Sequence, residues 1–122
     1  MSPPSNAPTY MFVFRYREDL PEPTPGQMQQ SFQKWTAWIQ GMRAKGRYLA
    51  GDPLEDAPGK LLRGPRGRKV SDGPFAEAKE VVGGYMLIAA KSFDEAVAIA
   101  KDCPGLDNGS TSVEVRQIKP MP

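Results

Sequence analysis

A chain of 122 residues is long enough for one domain around one core. Its 16 basic and 14 acidic residues leave a net charge of +2, too balanced to point to nucleic acid or an anionic membrane surface as a partner. Histidine is absent and cysteine occurs once, at Cys103. That composition excludes histidine-based nucleophilic pairs, histidine metal sites, a thiolate zinc cage and an intrachain disulfide, so neither metal nor cofactor is expected.

Any catalysis must rest on Asp, Glu, Lys, Tyr, Arg or Cys103. A lone cysteine fits a reducing cytoplasm. No apolar run approaches the length of a membrane span. Residues 1–9 read as a flexible tail, with three prolines among Met1–Pro8 and no basic region leading into an apolar one, hence no signal peptide. Residues 10–119 form the single predicted domain, and 120–122 a short tail.

The first predicted strand is Tyr10 to Tyr16. Alternation puts Tyr10, Phe12, Phe14 and Tyr16 on one face and Met11, Val13 and Arg15 on the other, so both faces are largely apolar. A polar loop to Pro23 follows. Thr24-Pro25-Gly26-Gln27 predicts a helix start, with Thr24 as N-cap, Pro25 in the first position and Gln27 closing a capping box. Met28, Phe32, Trp35, Ile39 and Met42 recur at helical spacing and predict one inward face, widened by Trp38. Core packing explains that stripe without a cofactor. Gly46 marks the stop.

Arg47 to Ala50 predicts a second strand, broken by Gly51-Asp52-Pro53. Lys60–Gly64 and Arg68–Ser71 predict a hairpin with Pro65-Arg66-Gly67 at its tip. The hairpin is basic, but it lacks interleaved aromatics and phosphate-loop spacing, so a solvated ribbon is the expectation. After it comes Asp72-Gly73-Pro74-Phe75. Asp72 can cap backbone donors, Gly73 reaches angles closed to other residues, and Pro74 fixes φ. A short helix over 75–80 is predicted there, with Phe75 as anchor.

Gly83-Gly84 predicts a bulge or a close backbone approach at the entry to a strand over Tyr85–Ala90. Ser92-Phe93-Asp94-Glu95 predicts a second capping box, opening a helix to about Cys103 with Phe93, Ala96, Val97, Ala100 and Cys103 inward. Cys103 lies at the helix end that does not activate a thiol and reads as a small buried hydrophobe. The last strand, Ser112 to Ile118, sets Val113, Val115 and Gln117 against Ser112, Glu114, Arg116 and Ile118. The predicted order is β-α-β-(hairpin)-β-α-β, an α+β, ferredoxin-like pattern with an inserted hairpin.

Asp72 through Glu80, then Gly83-Gly84-Tyr85 and Ser112-Val113-Glu114-Val115-Arg116, resemble the DGPF branch of the YCII-related domain family, over about Tyr10 to Ile118. The resemblance implies a bacterial, ferredoxin-like α+β domain that dimerises through its sheet as a dimeric α+β barrel. Some relatives resemble muconolactone isomerases and chloromuconolactone dehalogenases, and some accompany sigma factors of the extracytoplasmic class. A histidine on the first helix of the enzyme-like branch corresponds to about Trp35 here.

Two helices can cover only one face of such a sheet, yet its strands are apolar on both. A second copy packed on the other face is the expected cover, independently of the family. The space between the sheets is the expected ligand site. Arg15, Tyr85, Glu114 and Arg116 are the candidate ligand-binding residues, for a small carboxylate or lactone, with an Arg15–Glu114 or Arg116–Glu pair as the structural alternative. Asp72 is the candidate acid/base, with a turn or N-cap role as its alternative. Three functions stay open: a homodimeric small-molecule-binding domain, a lactone-isomerase or dehalogenase-like enzyme using Asp72, and a protein-interaction module linked to sigma-factor regulation.

Overall fold

The computed structural model of the protein describes residues 7–57, 59–73 and 80–121. In chain order the elements are β1 (Thr9–Arg17), α1 (Pro25–Ala44), β2 (Tyr48–Pro53), β3 (Gly59–Arg63), β4 (Lys69–Gly73), β5 (Glu80–Ala89), α2 (Phe93–Ala100) and β6 (Thr111–Gln117). Four strands form an antiparallel sheet in the order β2-β5-β1-β6. Among the described residues, strands β3 and β4 pair only with each other. Apart from that hairpin, the pattern is the ferredoxin-like one expected from the sequence.

The core lies between the sheet and the two helices. Tyr10, Phe12 and Phe14 of β1 and Met86 and Ile88 of β5 meet Met42 of α1 and Ala96, Ile99 and Ala100 of α2, with Cys103 beneath. Phe12 stacks on Trp38 at 6.3 Å, and Phe14 meets Trp35 edge-on at 5.2 Å. Phe12 and Ile88 are fully buried, and each such side chain contributes about 1.5–3 kcal/mol.

Helix α1 begins as its sequence dictates. The Thr24 side chain accepts from the Gln27 N–H, the Gln27 side chain accepts from the Thr24 N–H, and Pro25 opens the helix. Gly46, at φ 69°, ends it in the left-handed region that favours glycine. In α2 the Ser92 hydroxyl accepts from the Glu95 N–H, but the Glu95 carboxylate accepts from Lys91 rather than from Ser92. The helix proper stops at Ala100, short of Cys103.

Several expectations are corrected. Met28 and Phe32, predicted inward, are 58% and 72% exposed. Of the apolar stripe on α1, the part that packs on the core starts at Trp35 and continues through Trp38, Ile39 and Met42. Strand β2 is not broken at Gly51-Asp52-Pro53 but continues through it. It is an edge strand, where a proline interrupts no ladder on its free side. Strand β4 runs past Ser71 through Asp72 to Gly73, so Asp72 is a strand residue, while Gly73 ends the strand as its place before a proline implies. The 75–80 helix and its Phe75 anchor lie outside the described residues, except that Glu80 opens β5. That strand starts before the glycine pair because the pair does what was expected of it. The β1–β5 register shifts where Phe14 faces Gly84 and Arg15 faces Val82, leaving Gly83 as the bulged residue. A Cβ on Gly83 would fall 2.5 Å from the Tyr16 ring, and one on Gly84 would fall 3.1 Å from the Asp52 carbonyl oxygen.

Candidate functional site

Because Tyr10, Phe12 and Phe14 point into the core, the alternate residues Met11, Val13 and Arg15 point to the face that carries no helix. Residues directly opposite in an antiparallel pair share a face, so the register fixes the layout of this open face. One row crosses all four strands as Asp52, Tyr85, Val13 and Glu114. The next row is Ala50, Leu87, Met11 and Arg116. A third holds Val82, Arg15 and Ser112. The open face thus has an apolar middle, Met11, Val13 and Leu87, with polar groups along both sides.

On the β6 side, Arg15 Nη1 donates to Glu114 Oε1 at 2.7 Å, and Arg116 Nη1 stands 3.5 Å from Glu114 Oε2. One carboxylate is therefore shared by two guanidiniums. The hydrogen bond from Arg15 holds the Glu114 carboxyl below the usual carboxylate range; desolvation opposes it, and the positive charge of Arg15 and then Arg116 adds to the lowering. Arg15 and Glu114 are half-buried, whereas the Arg116 side chain is 72% exposed and keeps donors facing outward. Along the β2 side, the Tyr85 hydroxyl donates to Asp52 Oδ2 at 2.9 Å. That bond and the Asp52 charge push the Tyr85 hydroxyl up from its ordinary value. At neutral pH Tyr85 is a fixed hydrogen-bond donor and not a base.

Arg15, Tyr85, Glu114 and Arg116 are therefore brought together on one face, with the Arg15–Glu114 pair formed. Asp72 is not among them. It lies on β4, directly opposite Lys60 and ion-paired to it, with both side chains exposed to solvent. Asp52 was missed because Gly-Asp-Pro reads as a strand break. Only the β2–β5 register places its carboxylate opposite Tyr85.

A second concavity, of about 450 Å³, opens at the sheet end where β1 and β2 finish. Tyr16, Leu54, Ala57, Val81 and Val82 contribute apolar wall, and Glu18, Glu55 and Asp56 contribute carboxylates. Burial, then Asp56, then Glu18 push the Tyr16 hydroxyl up. Gly59 and Gly73, the base of the hairpin, close one side. Among the described residues no group of His, Cys, Asp and Glu is arranged to hold a metal ion, and no helix is long and apolar enough to cross a membrane.

The model of the YCII-related domain matches residues 10–122, nearly the whole chain. The protein belongs to the YCII-related domain family. This YCII-related domain is also 45% identical over 49 residues to an uncharacterised protein of Rhizobium meliloti (strain 1021). That match covers 40% of this chain and 40% of the relative's length.

Proposed function

We propose that this YCII-related domain pairs with a second copy, open face to open face, and holds a small anionic molecule between the two sheets. The observation that carries the reading is the four-strand register. It leaves Met11, Val13 and Leu87 uncovered and sets Arg116 beside them with most of its guanidinium free. A half-apolar sheet face calls for a cover, and such a cover would take Arg116, which Glu114 engages at one edge only, out of water and so call for an anion. Tyr85, held as a donor by Asp52, orients the bound group. The ligand class is a small carboxylate or a lactone. The DGPF branch of the family is the placement we favour, on Asp72-Gly73-Pro74-Phe75. An isomerase or dehalogenase using Asp72 as its base draws no support from the exposed Lys60–Asp72 pair.

Sedimentation of the wild type and of Leu87→Lys tests the pairing, with dimer expected for the first and monomer for the second. Thermal shift with succinate, maleate and benzoate tests the ligand class. Stabilisation of the wild type that disappears in Arg116→Ala is the expected result. A wild type that stays monomeric, or an identical response in Arg116→Ala, overturns the corresponding half of the reading.

A further inference from the structure

Among the described residues, strands β3 and β4 form a ribbon of their own, with no strand ladder to the four-stranded sheet. A lone two-stranded ribbon is marginal in water. This one also carries an unusual surface. Leu62 and Val70 face each other across the ribbon near its tip, and they are 59% and 58% exposed. Such a cross-strand apolar pair normally packs against something. Around it stand Lys60, Arg63, Arg66, Arg68 and Lys69, against one acid, Asp72. The segment Gly59–Gly73 is thus +4 in a chain whose total is +2, and the remainder of the chain is acidic.

The tip itself is built against local preference. Arg66 sits at φ 57°, between Gly64 at 81° and Gly67 at 65°. Glycine or asparagine fits that left-handed position with less strain than arginine. A residue held there at that cost is a place to look for a role of the side chain beyond the turn.

We propose that the hairpin is a docking arm, and that its tip, Arg66 with the Leu62–Val70 pair, seats in the acidic cleft of a second copy of this chain. The cleft offers Glu18, Glu55 and Asp56 for the guanidinium and Leu54 and Val82 for the apolar pair, and none of its described lining residues is basic. The arm cannot fill its own cleft. Gly59 and Gly73 form part of that cleft's wall, and five residues of strand carry the tip about 17 Å away from them. The contact is therefore between copies, and each cleft is complete only with the partner's arm. This rests on the self-association proposed above, adding a second and separable contact to it.

The test is a charge exchange in the full chain, read by sedimentation at low salt with thermal unfolding as the control for folding. Arg66→Glu alone and Asp56→Arg alone each weaken association by about tenfold. An equimolar mixture of the two variants recovers it, because in the mixed dimer both arm–cleft contacts are of opposite sign, one native and one reversed. Arg66→Gly also weakens association while unfolding no earlier than the wild type, since it relieves the left-handed backbone. Recovery on mixing supports the arm. A wild-type dimer that Leu87→Lys splits but that ignores Arg66→Glu and Asp56→Arg overturns the arm and leaves the sheet pairing standing. Weakening without recovery on mixing also overturns it. A wild type that is monomeric throughout overturns both.

Discussion

Gly51→Ala tests the course of β2 and the setting of Asp52 together. A Cβ built on Gly51 falls 2.8 Å from Met86 Cγ, 2.8 Å from the Tyr48 hydroxyl oxygen and 2.9 Å from the Tyr85 carbonyl oxygen. Met86 is a core residue and the third atom is backbone, so neither yields freely. Overpacking of this kind costs about 1–3 kcal/mol. Replacing glycine restricts the unfolded chain and returns about 0.4–1 kcal/mol. The expected net loss is about 1–2 kcal/mol, or a melting point lower by about 5 °C for a domain of this size. Gly41→Ala is the matched control. It lies inside α1 with no atom within 4 Å of an added Cβ, so it should stabilise by about 0.5–1 kcal/mol. Urea unfolding followed by far-ultraviolet circular dichroism measures both. A Gly51→Ala protein as stable as the wild type refutes the packing of β2 on Met86 and Tyr48, whatever Gly41→Ala does.

Two further outcomes follow from single groups. Burial pushes the Cys103 thiol up from 9.0 to about 11, so at neutral pH its thiolate fraction falls about a hundredfold below that of a free cysteine. Thiol reagents should label native protein far more slowly than protein unfolded in urea, and equal rates would contradict the burial. Glu114 has a depressed folded pKa. Between that value and the ordinary carboxylate value of 4.5 the unfolded state binds more protons, so stability rises with pH there. Its contribution is complete above about pH 4.5 and is lost as pH falls through the depressed value. Glu114→Gln should flatten this part of the acid-unfolding curve, and an unchanged curve would remove the ion pair from the account.

Much of the fold was legible because each element carried its own signal. Thr24 with Gln27 marks a helix start by chemistry that needs no tertiary contact, and β1 announces a strand by alternating Tyr10, Phe12 and Phe14 with Met11, Val13 and Arg15. The misreadings share a cause. Met28 and Phe32 fit the helical stripe, but periodicity cannot show which turns of a helix are covered. Gly51-Asp52-Pro53 has turn composition, but whether a strand continues through it depends on its being an edge, which is a property of the sheet. The open face was legible residue by residue, since Arg15, Tyr85, Glu114 and Arg116 were each on the expected parity. Asp52 was not, because its pairing with Tyr85 depends on a long-range register that includes a shift between Tyr48 and Ala50.

That register also decides which carboxylate merits attention. Asp72 attracts notice in the sequence, yet it pairs with Lys60 on a solvent-exposed ribbon, a kind of contact that contributes about 0–1 kcal/mol. Asp72→Asn should move the melting point little and leave any response at Arg116 intact. Asp52→Asn should act on a neighbour instead. The Tyr85 hydroxyl is raised by its hydrogen bond to Asp52 and by that residue's charge. Removing the charge should bring its titration back toward the ordinary tyrosine value of about 10. Ultraviolet difference titration, with the Tyr85→Phe curve subtracted, isolates this group from the other three tyrosines. In that measurement Asp52→Asn shifts Tyr85 downward and Asp72→Asn does not. If Asp52→Asn leaves the Tyr85 curve in place, the two side chains do not meet across β2 and β5. Tyr85 is then not a fixed donor, and the polar border of the open face on that side falls with it.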